Sequence, residues 1–288
     1  MKNCPYCQSD REFYFRISSR TYYRCLQCDL IYKNDLESYN QVANNYSENY
    51  FAKYSVDQME GRRDKLFSHI LDAVEEKIRI GKLLDVGTGC GFFLSAASQR
   101  GWETEGIEPS LQSVEVARRE NSLNVLAGTL QDYKGNCQFD VITFINVLEH
   151  SSMPWLEIAR AKQLLRPGGL VYLRFPNGFL HSRLFRMAHK YSLDFSLRKF
   201  LVFHIYSFTP RYIKRLLRDH GFIQTTIINS PPSEGDPHNL FPDVTLATRV
   251  KKLFYLVAKC TEKVSRGQLF MGTSLEVTAI KALNVHGH

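Results

Sequence analysis

The stretch "KLLDVGTGCGFFL", residues 82–94, reads as a buried strand, a glycine-studded turn and the start of a helix. Glycine has no Cβ to hold a ligand off, so such a turn lets a ligand lie against bare backbone at a helix N-terminus. The spacing is Gly87-x-Gly89-x-Gly91, and Phe92 stands where a dinucleotide fingerprint places its third glycine. By itself the pattern is equally a strand–turn–helix without a ligand.

Two acids sharpen the reading. Asp85 sits at the end of the strand, just before the glycines. Beside a pyrophosphate its carboxylate would repel; beside an ammonium or a sulfonium it would attract. S-adenosylmethionine (SAM) carries both cations. The next strand, "WETEGIEPS", ends in Glu108, where an acid pairs with ribose hydroxyls. That second feature fits NAD and SAM equally, so Asp85 and the glycine register carry the distinction.

Further stretches follow in order: "GIEPS", "GTLQDY", "FDVITFINVLEH", "LLRPGGLVYLRFPN" and "HIYSFTPRYIKRLLRDHGF". With the glycine turn they span residues 83–223, and "SLEVTAIKAL" is a weaker match near the end. In these motifs the sequence resembles the class I SAM-dependent methyltransferases, especially the small-molecule group that includes ubiquinone-biosynthesis-type enzymes. The resemblance implies a seven-stranded Rossmann-like sheet with an antiparallel last strand near 273–281. It also implies a cofactor site built from Asp85, Gly87, Thr88, Gly89, Cys90 and Gly91. Glu108, Pro109, Leu130, Gln131, Ile145 and Asn146 complete that site, with Tyr50 near the methionine carboxylate.

Periodicity supports the same fold class. Leu66, Ile70, Val74 and Ile78 form one apolar helical stripe from Gly61 onward. Strands at 82–87, 103–108, 124–127, 139–145 and 169–175 then alternate with helices, which makes a doubly wound, mostly parallel α/β sheet. Ligands on such sheets bind beyond the carboxyl ends of the strands. Gly87, Glu108, "GTLQDY" and "INVLEH" all fall at those ends. "PGG" at 167–169 reads as a turn into the fifth strand.

The N-terminus carries a separate signal. Cys4-x-x-Cys7 and Cys25-x-x-Cys28 each place two thiolates on one tight turn. The intervening residues, with alternating aromatics in "EFYFRI" and "TYYRC", suit a short hairpin that brings the turns together. Four soft ligands in a closed tetrahedron suit structural zinc; iron and a pair of disulfides are the competing readings. We therefore divide the chain into a zinc ribbon over 1–35, a linker or lid over 36–60, and a methyltransferase-like domain over 61–288. Cys90, Cys137 and Cys260 are isolated thiols.

The whole chain bounds the function. Its 288 residues are 44% hydrophobic and 23% charged, ordinary for a globular protein. No apolar run reaches membrane-spanning length and "MKNCPYC" is no signal peptide, so the expected compartment is the cytoplasm. A net charge of +8 and a pI near 9.1 admit RNA, an anionic lipid surface or a phosphorylated substrate as partner. Residues 178–206 mix basic and aromatic residues after the fifth strand. They read as a cap over the acceptor site, an amphipathic helix packed on the sheet, or a contact with a membrane surface. Residues 231–270 add a proline-broken loop and a basic amphipathic helix suited to rim or homodimer contacts.

Methyl transfer from SAM needs donor and acceptor held in line and desolvated, and a base only when the acceptor must lose a proton. His150 in "INVLEH" is the candidate base, titrating near neutrality; His204 in "HIYSF" can approach from the acceptor side. The leading reading is methylation of oxygen or carbon on a small molecule such as a lipid, polyketide or sugar. The first competitor is an RNA methyltransferase that grips nucleic acid with its zinc ribbon, though "NVLEH" replaces the Asn/Asp-Pro-Pro-aromatic motif frequent in base-nitrogen methylation. The second is a non-catalytic module of the same fold, which the intact acids and glycines disfavour.

Overall fold

A computed structural model describes residues 3–34, 61–136, 138–192, 201–234 and 244–283. Tyr50, the lid read over 36–60 and Cys137 lie outside the described residues.

Three short strands open the chain: β1 (Arg11–Ile17), β2 (Arg20–Cys25) and β3 (Ile31–Lys33). Helix α1 (Asp64–Glu75) follows, burying Leu66, Phe67, Ile70, Leu71 and Val74. The expected stripe is present, except that the helix ends before Ile78. The alternating part then runs β4 (Lys82–Val86), α2 (Phe92–Gln99), β5 (Glu103–Glu108), α3 (Leu111–Asn121), β6 (Val125–Ala127), β7 (Phe139–Ile145), α4 (Pro154–Leu164) and β8 (Leu165–Pro176). After it come α5 (Gly178–Lys190), β9 (Tyr206–Ser207), α6 (Pro210–Asp219), β10 (Phe222–Asn229), α7 (Val244–Val264) and β11 (Ser274–Lys281).

Among the described residues the strands form two sheets. The larger has the order β10-β11-β8-β7-β4-β5-β6. β4 pairs in parallel with β5 and β7, β5 with β6, and β7 with β8. β11 alone runs antiparallel to both neighbours, as the resemblance implied. β4 and β7 are near-continuous apolar runs because helices cover both faces of the sheet. The chain moves outward from β4 to β5 and β6, then crosses back to β7 on the other side of β4. That reversal opens a crevice beyond the carboxyl ends of β4 and β7. The "PGG" stretch is absorbed into β8 rather than preceding it: Phe139 faces Leu165, but Val141 faces Leu170, so the segment bulges out of the pairing with Gly168 in the left-handed region.

The smaller sheet has the order β1-β2-β3-β9, and its last strand comes from beyond β8. Ile31 pairs with Ser207 and Tyr32 with Tyr206. Thr209 caps α6 and also donates from Oγ1 to the Asp29 carbonyl (3.2 Å). Tyr6 donates to Asp219 (2.9 Å) and packs edge-on against Tyr212, while Phe208 stacks on Tyr212. Cys4, Cys25, Cys28 and Tyr32 thus belong to the same apolar core as Phe175, Tyr206, Phe208 and Tyr212. The aromatic run in "HIYSFTPRY" is what welds the cysteine-bearing segment to the large sheet.

This shared core should make the two sheets one stability unit. Tyr206 is fully buried and donates to the Ser152 carbonyl (2.8 Å). Tyr206→Ala should destabilise the chain by about 3–5 kcal/mol, the ordinary cost of deleting a buried aromatic. Urea titrations followed by thiol reactivity of the N-terminal cysteines and by near-ultraviolet dichroism should shift together in one transition. Two separate transitions would show the sheets to be independent.

Candidate active site

The glycine turn leaves β4 with Gly87, Gly89 and Gly91 all at positive φ, at +71°, +58° and +81°. At the first and last of these a side chain has no room. A Cβ on Gly87 would lie 2.5 Å from Val147 Cγ2, and one on Gly91 would lie 2.4 Å from Leu123 Cδ1. Gly91 is also the N-cap of α2. Thr88 and Cys90 are buried beneath the turn.

Asp85 and Glu108 flank this turn, and both are buried. Asp85 accepts a hydrogen bond from Thr143 Oγ1 on β7 (2.6 Å). Among the described residues no cation stands beside it, and burial pushes its carboxyl up to about 7. Glu108 accepts from the backbone N–H groups of Gly89 and Ser110, each at 2.9 Å. Burial raises its pKa as well, and those two donors oppose the rise. The acid at the end of β5 therefore holds the glycine turn in place.

The remaining residues read from sequence surround the crevice. Pro109 precedes Ser110, the N-cap of α3. Leu130 is buried in a single 3-10 turn, and the exposed Gln131 donates to the Leu156 carbonyl (3.3 Å). Ile145 ends β7, and Asn146 follows in the left-handed conformation, φ +60°. Asn146 Nδ2 donates to Glu149 Oε1 (3.3 Å).

The structure brings together the two histidines that the sequence places more than fifty residues apart. His150 lies in a 3-10 turn after β7, and its ring centroid is 4.1 Å from that of His204. One ligand-type atom each from Glu149, His150 and His204 lies within 4.8 Å of the others, a spacing that also admits a divalent metal ion. Glu149 is buried; burial pushes its carboxyl up to about 7, and its Oε2 has no hydrogen-bond partner among the described residues. The neutral-pH titration expected for His150 does not hold. Burial, then the neighbouring His204 charge, lowers its pKa well below the ordinary 6.5. Both effects favour the neutral form of His150.

Arg174, on β8, was not among the residues read from sequence. It is buried at the carboxyl edge of the sheet and donates to Asn146 Oδ1, to Ser230 Oγ (2.8 Å) and to the Pro231 carbonyl (3.3 Å). It ties the loop after β7 to the loop after β10. An arginine inside the apolar run "LVYLRF" was the available signal, since an isolated cation in a buried strand must be serving fixed partners.

The insertion over 178–206 divides in two. Helix α5 packs Phe185 against Phe15 of the small sheet, with ring centroids 5.0 Å apart, and residues 201–205 carry His204 to the crevice. Asn177 caps α5 and donates to the Phe270 and Gly272 carbonyls.

The four N-terminal cysteines also converge. All four Sγ atoms lie within 4.8 Å, with Cys4–Cys28 at 3.7 Å and Cys7–Cys25 at 3.4 Å. Thiolates about 2.3 Å from one zinc stand about 3.8 Å apart along a tetrahedral edge, so the spacing fits a metal and exceeds a disulfide bond.

A mostly parallel sheet with one reversed strand, a left-handed glycine turn and two buried acids at the switch point define a Rossmann-like nucleoside-binding fold. A family model described as a methyltransferase domain matches residues 59–226, and the chain belongs to that family. Ubiquinone biosynthesis O-methyltransferase from Saccharophagus degradans is 33% identical over 120 residues, covering 37% of this chain and 51% of that protein. The enzyme of that name from Actinobacillus pleuropneumoniae serotype 5b is 35% identical over 116 residues, covering 35% and 50%. The chain thus spans about half the length of these curated relatives. Among solved structures, a SAM-dependent methyltransferase from Archaeoglobus fulgidus superposes with a TM-score of 0.52 at 17% identity, covering 81% of this chain and all of that one. The plantazolicin methyltransferase BamL superposes at 0.53 with 17% identity, covering 84% and 93%. These two likenesses concern the fold.

Arg174→Met keeps the length of the side chain and removes its donors. It should cost on the order of 3 kcal/mol, because Asn146 and Ser230 lose a buried partner. Chemical denaturation should register that loss, and an unchanged midpoint would mean that the two loops are held by other contacts.

Proposed function

We propose that this protein is a SAM-dependent methyltransferase acting on a small-molecule acceptor at oxygen or carbon. The observation that carries the proposal is the pair of buried acids on either side of the glycine turn. Asp85 is a buried carboxylate without a cationic partner among the described residues, which suits a ligand that brings its own positive charge. Glu108 retains acceptor capacity on both oxygens for ribose hydroxyls while it fixes Gly89. SAM, when bound, supplies an electrophilic methyl group on a sulfonium. The chain's own part is to orient, to exclude water and to move a proton. In this reading the loop of Asn146 and Glu149, anchored by Arg174, sets the wall of the crevice, and His150 accepts the acceptor's proton with His204 beside it. The relatives named for O-methylation in ubiquinone biosynthesis favour an oxygen acceptor. The four-cysteine cluster holds structural zinc in this reading, and its docking on α6 and β9 gives it a scaffolding role.

Transfer of labelled methyl from SAM into a cell extract, fractionated as RNA, protein, lipid and small metabolites, tests the proposal. Label should enter the lipid or small-metabolite fraction; label confined to RNA would replace it with the nucleic-acid reading.

Cofactor affinity should depend on pH with a definite sign. The Asp85 carboxyl is raised from 3.8 to about 7, so a proton must leave before a cation can pair with it. SAM affinity should therefore be full above about pH 7 and fall by up to about tenfold per unit as pH drops below it. Asp85→Asn should bind more weakly at pH 8 and show a flat profile; calorimetry showing equal slopes for both proteins would remove Asp85 from the site.

His150→Asn should leave SAM affinity nearly intact and lower turnover by about 10²–10⁴-fold. Because burial favours the neutral form of His150, any acid limb that this group gives the wild-type rate should lie below the ordinary histidine range. His204→Asn removes the neighbouring charge and should move the acid limb toward neutrality. Rates within a few-fold of wild type in both variants would leave positioning alone as the source of catalysis.

One zinc per chain should copurify, and Cys25→Ser with Cys28→Ser should lose it. Iron found by elemental analysis of fresh reduced protein would refute zinc.

A further inference from the structure

Helix α7 has one face against the protein and one in water. Ala258 is fully buried, and its carbonyl accepts from Asn229 Nδ2 of β10 (3.1 Å). Glu262 is turned the same way and accepts from Asn229 N and Nδ2 (2.8 and 2.7 Å). The opposite face presents Val250, Leu253, Val257 and Val264 at successive spacings of three, four and seven residues, which puts them on one line. Leu253 is 65% exposed, Val257 54%, Val264 85%, and Leu256 beside them 61%. Branched aliphatic side chains in such a row, left in water, mark a surface that something covers.

The charges along its border decide what. Arg249, Lys252, Lys259 and Lys263 lie along one edge of the stripe. Lys252 reaches Glu234 (3.2 Å) and Lys259 reaches Glu262 (3.6 Å), while Arg249 and Lys263 point into solvent. Glu262 is the one acid in the sequence of this helix, and it is committed to Asn229. The α7 of a second copy laid on this stripe would bring the basic edge no uncommitted acid. A surface that is apolar below and anionic at its border satisfies both features. No described helix is long and apolar enough to cross a membrane, so the arrangement is one of lying in the interface.

We propose that α7 is a membrane-surface helix: its Val250–Val264 stripe enters the acyl boundary of an anionic bilayer while Arg249 and Lys263 meet lipid phosphates. The inference stands apart from the identity of the methyl acceptor. It places the chain at a lipid surface whether that acceptor is lipid-soluble or not.

Cosedimentation of the full chain with vesicles tests it. Vesicles of phosphatidylcholine with about 30% phosphatidylglycerol should retain the protein at least about tenfold better than pure phosphatidylcholine, and salt should weaken the retention. Leu253→Glu with Val257→Glu should lose about tenfold or more, and Arg249→Glu with Lys263→Glu should lose several-fold and become less salt-sensitive. All four positions are exposed, so the urea midpoint should hold, and the comparison of the two vesicle types with the wild-type chain needs no variant. Equal retention on both vesicle types, or an unchanged Leu253→Glu, Val257→Glu protein, overturns the proposal. So does a wild-type dimer that ignores vesicles and dissociates in that variant, which would mean that a second copy covers the stripe. Binding to an RNA oligonucleotide that only the charge variant loses, with no retention on vesicles, would assign the face to nucleic acid instead.

Discussion

The turn after β4 constrains everything around it. Three glycines in the left-handed region let the chain leave a buried strand and enter α2 within a few residues. Its neighbours are fitted to it from three directions. Glu108 at the end of β5 takes the Gly89 N–H, Val147 after β7 fills the space a Cβ at Gly87 would need, and Leu123 after α3 does the same at Gly91. Because the strands that deliver these residues are parallel and adjacent to β4, or packed behind it, the turn's geometry and the sheet's order are one constraint. A ligand there meets backbone and two acids.

A second set of contacts determines what stands opposite the turn. Arg174 crosses from β8 to Asn146 and to the Ser230–Pro231 segment, joining loops that belong to distant parts of the chain. Beside it, Glu149, His150 and His204 come within reach of one another. Burial acts on these groups in opposite senses: it makes a carboxyl hold its proton and an imidazole release it. Both shifts favour the uncharged forms, so His150 takes a proton only to the extent that a bound molecule or a neighbouring charge stabilises the imidazolium.

The N-terminal cysteines illustrate how an apparent accessory becomes structural. Their sheet is completed by β9, and their side chains share a core with Tyr206, Phe208 and Tyr212. β9 follows directly on His204, so the pairing that docks the cysteine segment also fixes the approach of that histidine to His150. A metal held by these four thiols would contribute folding free energy that β9 couples to the wall of the crevice.

Much of this was legible in the sequence, for a physical reason. Strand ends, glycine spacing, the helical stripe of α1 and the paired Cys-x-x-Cys turns are local patterns, set by the period of the backbone and by steric rules acting within a few residues. Asp85, Glu108 and the glycines could be assigned together because each occupies the end of its own strand, and parallel sheets align those ends. What tertiary structure alone decided were relations between segments far apart in the chain: the meeting of His150 with His204, the reach of Arg174 to two loops, the addition of β9 to the cysteine sheet, and which face of α7 remains in water. The titration of His150 belongs to the same group. A histidine's ordinary pKa can be read from its name, but its shift is set by how much water the fold removes and which charges it brings near, and neither quantity is written in the neighbouring residues.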